Sequence, residues 1–220
     1  MDGTGSAGDI VSAVATATRI SFELYCSPEC GDAQNALYLQ LSSGKYDECA
    51  VLRLPANVAD WREEHRTARK RANRAFTRGY TFKPILRHRR TDEIHRINLS
   101  APQRQGRPMD DGYRRRPTET PLPTYPCDRH AVRTYGVEDT ESTLVAYATV
   151  YRAGELALIS QILGHADHLE HEIMYLLVQG VIGREKDGYL VYNRYDSGTE
   201  GLRFFKDRCG FAPTMVEWLP

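Results

Sequence analysis

The chain has 220 residues, with 29 basic and 29 acidic side chains, and 41% of it is hydrophobic. This composition suits one globular domain of ordinary size with a real core, and it excludes a largely disordered chain. No stretch approaches the run of about eighteen apolar residues that a membrane span needs, so the expectation is a protein with no membrane partner.

Residues 1–18 are rich in Gly and Ala and lack a basic stretch ahead of an apolar core. They read as a flexible N-terminal tail rather than a secretory leader. Cys26, Cys30, Cys49, Cys127 and Cys209 are odd in number and irregular in spacing. That argues against a disulfide framework and for a reducing, cytoplasmic compartment. CSPEC (Cys26 to Cys30) has the spacing of half a zinc site, but no second pair follows, and two small thiols near a turn are the plainer reading.

The balanced net charge hides a pattern. Asp60 to Arg116 carries 17 Lys or Arg against 7 Asp or Glu, whereas the N-terminal flank has 3 against 7 and the C-terminal flank 9 against 15. Such a zone either faces an anion (nucleic acid, a phosphorylated cofactor or a phosphate-bearing substrate) or pairs with the acidic flanks inside the fold.

In chain order, RISFELYC and ECAVLRLP read as strands, with a short helix over DAQNALYLQLSSG between them. NVADWREEHRTARKRANRAFTRG predicts one long helix. Asn57 or Asp60 is its cap, Gly79 its stop, and Arg66, Arg69, Lys70, Arg71 and Arg74 form its basic face. YTFKPILRHR predicts an edge strand, because its proline cannot donate to a ladder. TDEIHRINLSA predicts a helix capped by Thr91 with Ile94 and Ile97 inward. The segment that follows is rich in Pro, Gly and Arg. Within it RQGRPMDDGY, with Arg104, Arg107 and Tyr113, is either a substrate-binding loop or a linker, and the first is the expectation. STLVAYATVYRAG and ELALIS predict a hairpin turning at Ala153-Gly154. HLEHEIMYLLVQGVIG reads as a helix and GYLVYNRY as a strand. GTEGLRFFKDRCG is an amphipathic helix with Leu202, Phe205 and Cys209 on one side, and FAPTMVEWLP is a closing strand.

Between the hairpin and the helix lies SQILGHADHLEH, residues 160–171, with His165, His168 and His171 three apart. Successive positions would turn by about 300° on one helix, so all three could not easily share a metal, and the spacing is not a standard ligand pattern. No metal is expected. The other reading is a turn whose backbone N–H groups hold a phosphate at a helix start.

The order strand, strand, QILGHA, helix, strand, helix, Gly-Phe, strand resembles the second half of the GNAT acyltransferase superfamily. Its acyl-CoA motif, Gln/Arg-x-x-Gly-x-Gly/Ala, is matched by Gln161, Gly164 and Ala166. The resemblance covers roughly Tyr80 to Pro220. It implies an α/β fold, a mixed sheet flanked by helices, with acetyl-CoA or another acyl-CoA as co-substrate. The backbone of Gln161, Ile162, Leu163, Gly164, His165 and Ala166 would hold its pyrophosphate, and ELALIS would splay from its neighbour to admit the pantetheine arm. The late-helix tyrosine that many GNAT enzymes use as a general acid is replaced here by Phe204 and Phe205, so Tyr192 or Tyr195 is the candidate instead. His168, His171, Asp196 or Glu172 are candidates for the base.

ARKRANRAFTRGY and FFKDRCGF also resemble the Fem-type aminoacyl transferases, which have GNAT-like domains and take their acyl group from aminoacyl-tRNA. That resemblance implies a basic segment, residues 62–116, that faces nucleic acid, and it does not require the CoA loop. The expected organisation is a tail at 1–18, an N-terminal α/β extension with the basic helix at 19–79, and a GNAT-like domain at 80–220. The leading expectation is acyl transfer from acyl-CoA to an amine. Aminoacyl-tRNA-dependent transfer, or acylation of a nucleic acid, is the alternative, and a binding protein that kept the fold without the chemistry is a third.

Overall fold

The computed structural model describes residues 46–125 and 130–217. The strand read at RISFELYC, the helix at DAQNALYLQLSSG, CSPEC and the tail at 1–18 lie outside the described residues.

The described chain is α/β. Strand β1 is Tyr46–Arg53, followed by helices α1 (Val58–Glu64) and α2 (Arg66–Thr77), strand β2 (Thr81–Ile85) and α3 (Thr91–Leu99). A two-residue-strand hairpin, β3 (Gln103–Arg104) and β4 (Arg107–Pro108), and one turn of helix, α4 (Asp111–Arg114), break up the Pro- and Arg-rich segment. Then come β5 (His130–Glu138), β6 (Leu144–Ala153), β7 (Leu156–Gly164), α5 (Ile173–Arg184), β8 (Tyr189–Arg194), α6 (Glu200–Arg208) and β9 (Ala212–Glu217). Seven strands form one mixed sheet in the order β2-β5-β6-β7-β8-β1-β9. All neighbours are antiparallel except β7 and β8, which run parallel.

β1 sits inside this sheet, between β8 and β9. Residues 46–79 therefore share the sheet and core of the rest of the described chain. α2 presents Ala68, Ala72 and Ala75, all fully buried, along one stripe, and this small-residue face packs with α5 in the main core. α3 covers the opposite face of the sheet, where Ile94 and Ile97 meet Leu144, Tyr147 and Leu163.

Three local readings are corrected. The helix predicted over residues 57–79 is two helices, because His65 leaves helical geometry at φ −103°, ψ 56°. The break lets Trp61 point inward, 2% exposed, with its indole N–H donating to the Cys209 carbonyl at 2.9 Å. Asn57, not Asp60, is the cap, its side chain accepting the Ala59 N–H. Thr91 is inside α3, and Arg90 occupies the cap position, its guanidinium bonded to Glu93 and Glu138. The helix expected from His168 begins only at Ile173. Residues 166–171 form a tighter 3-10 turn, and Glu172 stands between at φ 67°. Nη1 of Arg71 donates to both oxygens of the Glu172 carboxylate, at 2.8 and 2.9 Å, and holds that left-handed residue in place.

Candidate functional site

The parallel pairing of β7 with β8 lasts three residues, Leu156 to Leu158 against Tyr189 to Val191, and then the strands separate. Two bulges explain why. Ser160 is an extra residue in β7, since Val150 pairs with Ile159 and Thr149 with Gln161. Tyr192 and Asn193 together face the single residue Ala50 across β1, and Asn193 takes φ 50°. A bulge bends its strand and increases the local twist. Here each bulge falls where the parallel pairing ends, and beyond Leu158 the side of β7 that faces β8 has no strand partner among the described residues.

Two cavities meet in this gap. One, of about 190 Å³, is lined by Arg104, Met109, Gln161, Tyr192, Asn193 and Ser197 among others. The second, of about 490 Å³, is bounded by Arg87, Leu122, Thr149 and Tyr151. Tyr113, Ile159, Ser160, Gln161 and Asn193 line both. The gap is thus reached from two sides, with two amide side chains and a phenol at the junction. Burial raises the Tyr113 pKa, so the phenol stays protonated as a donor across the neutral range.

The loop after β8 is held by a lysine. Lys206, on α6, is fully buried, and its ammonium donates to the carbonyls of Arg194 and Tyr195 and to Ser197 Oγ. It also lies 5.3 Å from the centroid of the Tyr192 ring. Burial brings its pKa down to about 8, with nearby Asp196 opposing the shift. Lys206 positions Ser197 and Tyr192, two walls of the smaller cavity. The surrounding FFKDRCGF pattern does not reveal the lysine's burial, because a charged residue in an amphipathic helix reads as solvated.

The residues singled out from sequence fall in different places. Gln161 and Tyr113 line the gap. Ile162, Leu163 and Gly164 belong to β7 and pair with Ala148, Tyr147 and Ala146 of β6, and Ile162 and Leu163 also line the smaller cavity. The His165 N–H donates to the Val145 carbonyl at 2.7 Å, and the Ala166 N–H donates to Ser100 Oγ at 3.0 Å. Gly164 is buried. A Cβ there would lie 2.7 Å from Met174 Sδ and 2.9 Å from Leu169 Cδ2, so the glycine answers to packing against α5. The Arg104 guanidinium pins α3 to the end of β7, donating to the carbonyls of Ile97 and Gly164 and to Ser100 Oγ, while its buried Nε has no partner. Arg107 is exposed in β4 and lines neither cavity.

His168 and His171 also lie away from the gap cavities. Both direct Nδ1 at the Tyr80 hydroxyl, at 2.8 and 2.6 Å, so one ring accepts that proton and the other donates. His165 completes a row of rings with centroids 5.5 and 6.0 Å apart. Burial, then the neighbouring His165, lowers the His168 pKa. No group of three His, Cys, Asp or Glu side chains among the described residues is arranged to hold a metal. The Tyr195 hydroxyl donates to Asp207 at 2.6 Å, which holds its pKa up at about 12. Asp196 pairs with Arg194 on the surface.

No protein-family model and no curated protein sequence matches the chain. Solved structures do. The C-terminal domain of a chain described as a lysylphosphatidylglycerol synthetase, from Agrobacterium fabrum, superposes with a TM-score of 0.52 at 12% identity, over 84% of this chain and 62% of that one. FemX superposes at 0.53 with 10% identity, over 76% of this chain and 59% of its own. This chain therefore spans less than two thirds of either. A GCN5-related N-acetyltransferase from Kribbella flavida aligns over 78% of this chain and 55% of its own at 12% identity, with a TM-score of 0.44. With its mixed seven-stranded sheet flanked by helices and the parting of β7 from β8, the chain has a GNAT-like fold.

Proposed function

We propose that the chain is an acyltransferase, joining a carbonyl carbon to an amine nitrogen in the gap between β7 and β8, and that its donor is an aminoacyl ester at the end of an RNA. The observation that carries the transfer reading is the meeting of two cavities at Ser160, Gln161 and Asn193, which gives a donor and an acceptor separate approaches to one point. The amine attacks the ester carbonyl, a tetrahedral intermediate forms, and the C–O bond breaks as the ribose hydroxyl leaves with a proton. The amide N–H groups of Gln161 and Asn193 and the Tyr113 hydroxyl are the donors available to the oxyanion. No carboxylate lines either cavity among the described residues, so the rate gain comes mainly from positioning and polarisation.

The choice of donor is supported by the turn after β7. A pyrophosphate loop needs free backbone N–H groups. Here those of His165 and Ala166 are engaged within the protein, and α5 starts seven residues beyond Ala166 behind the Glu172 carboxylate. The resemblance to Fem-type transferases supports the same donor, as does the exposed basic face of α2 with Lys70 and Arg74. Acyl-CoA is the second reading, carried by Gln161, Gly164 and Ala166. The test is thermal stabilisation by a non-hydrolysable 3′-aminoacylamido-adenosine against acetyl-CoA. A ligand at 100 times its Kd adds about 2.7 kcal/mol. A shift with the adenosine compound that Q161A/N193A abolishes is expected. A shift with acetyl-CoA alone refutes the donor.

A further inference from the structure

The gap cavities continue into a third cavity, of about 580 Å³, at the edge of the sheet. β2 ends at Ile85 opposite Thr134, so Val132 and Arg133 of β5 run past it unpaired on that side. The chain at Pro121–Thr124 lines it as a strap, and so does Arg184, exposed at the end of α5. Arg87 and Leu122 line both this cavity and the 490 Å³ cavity at the gap. The three spaces are therefore one trough, from the free edge of β5, under the strap, to the separated ends of β7 and β8.

The trough has one sign of charge. Its charged lining residues among the described residues are Arg87, Arg104, Arg133 and Arg184, with His88 beside them, and none is a carboxylate. The chain as a whole carries 29 charges of each sign. Half-buried arginines elsewhere find partners: Arg69 has Glu63, Arg71 has Glu172, and Arg90 has Glu93 and Glu138. Behind the lining, the buried Glu185 carboxylate is shared by Arg133 and by Arg152, which lines none of the cavities, at 3.2 and 3.5 Å, and Arg104 is held by carbonyl oxygens. The side chains of Arg87 and Arg184 form no hydrogen bond or ion pair among the described residues; Arg87 is half-buried and Arg184 exposed. A half-buried guanidinium has lost water without gaining an anion, and phosphate oxygens match its fork of donors. The remaining wall is apolar, from Pro84, Leu86, Leu122 and Val132, with Leu86 55% exposed.

We propose that this trough is a subsite for a phosphate ester, with the phosphate on Arg87 and Arg184 and the organic body along the apolar wall toward the gap. It rests on the transfer reading for its purpose, since the trough opens into the gap, and it makes the phosphate ester the substrate that enters by the larger cavity. A free nucleotide and a lipid headgroup share this chemistry. The test measures binding to the full chain and needs no turnover. The probes are inorganic phosphate, adenosine monophosphate, and vesicles of phosphatidylglycerol in phosphatidylcholine, with pure phosphatidylcholine as reference. R87Q/R184Q is expected to bind at least about tenfold more weakly than the parent chain, while R203Q, on the exposed side of α6, matches the parent, all three having equal Tm without ligand. Binding of the soluble probes assigns a free ester, and binding of the anionic vesicles alone assigns a lipid headgroup. Equal binding by R87Q/R184Q, or no binding of any probe by the parent chain, overturns the proposal. Q161A/N193A should lose the aminoacyl-adenosine shift yet keep phosphate binding, so failure at the gap and failure in the trough are seen separately.

Discussion

Lys206 offers a quantitative test of the loop that walls the gap. Replacing it with Met keeps the length and apolar stem but removes the ammonium that bonds the Arg194 and Tyr195 carbonyls and Ser197 Oγ. Burial holds the lysine near pH 8 in the fold, against 10.5 for the ordinary side chain. Between those values the unfolded chain binds more protons than the folded one, so stability rises with pH across the window. The burial penalty is present in full below the folded value and is gone above the unfolded one. Integrating between pH 7 and pH 9.5 gives a gain of about 2 kcal/mol from this one group. Urea unfolding of the parent chain and K206M at both pH values isolates it, because every other group cancels in the difference between the two proteins. The parent is expected to gain about 2 kcal/mol on K206M over that range at constant m-value. A difference between parent and variant that does not change with pH would refute the account of a desolvated ammonium at this site.

Other outcomes follow from the same contacts. Gly164→Ala should lower stability by about 1–3 kcal/mol through the clash with Met174 and Leu169, with the same loss whether or not a nucleotide ligand is present, as read by thermal unfolding. Gly180→Ala pushes a methyl into the Phe82 ring, and its loss of Tm should be largely recovered in G180A/F82L. The depressed His168 pKa means that the unfolded chain takes up the proton first as pH falls below 6.5. The parent should therefore lose more stability than H168N between pH 7.5 and pH 5, and identical losses would remove His168 from the account.

Much of the sheet was legible because periodicity reports one-sided burial. The β6–β7 hairpin, β8, α6 and β9 all stand where alternation or helical spacing put them. β5 has no such signature: Thr134 through Glu138 are buried in succession, with α5 packed on the strand and Glu138 neutralised by Lys83 and Arg90. The break at His65 was hidden for another reason. It depends on Trp61 reaching Cys209, 148 residues away, and no local propensity encodes that contact. At the site, the motif found Gln161, whose position in the gap comes from the bulge at Ser160 rather than from a phosphate turn. Asn193 and Ser197 escaped notice because their importance lies in strand separation, which is a property of two bulges on different strands. The histidine spacing argues in sequence against a shared metal, and only the placement of Tyr80 shows what occupies the Nδ1 atoms of His168 and His171.

The central claim is that chemistry takes place where β7 and β8 part. Titration of the 15N-labelled chain with a 3′-aminoacylamido-adenosine, followed by amide chemical shifts, tests it most directly. The expected result is saturable perturbation centred on the amides of Ser160, Gln161, Asn193 and Ser197, which Q161A/N193A removes. Perturbations confined to the turn at residues 165–171, or none at ligand concentrations that saturate any binding, would contradict it.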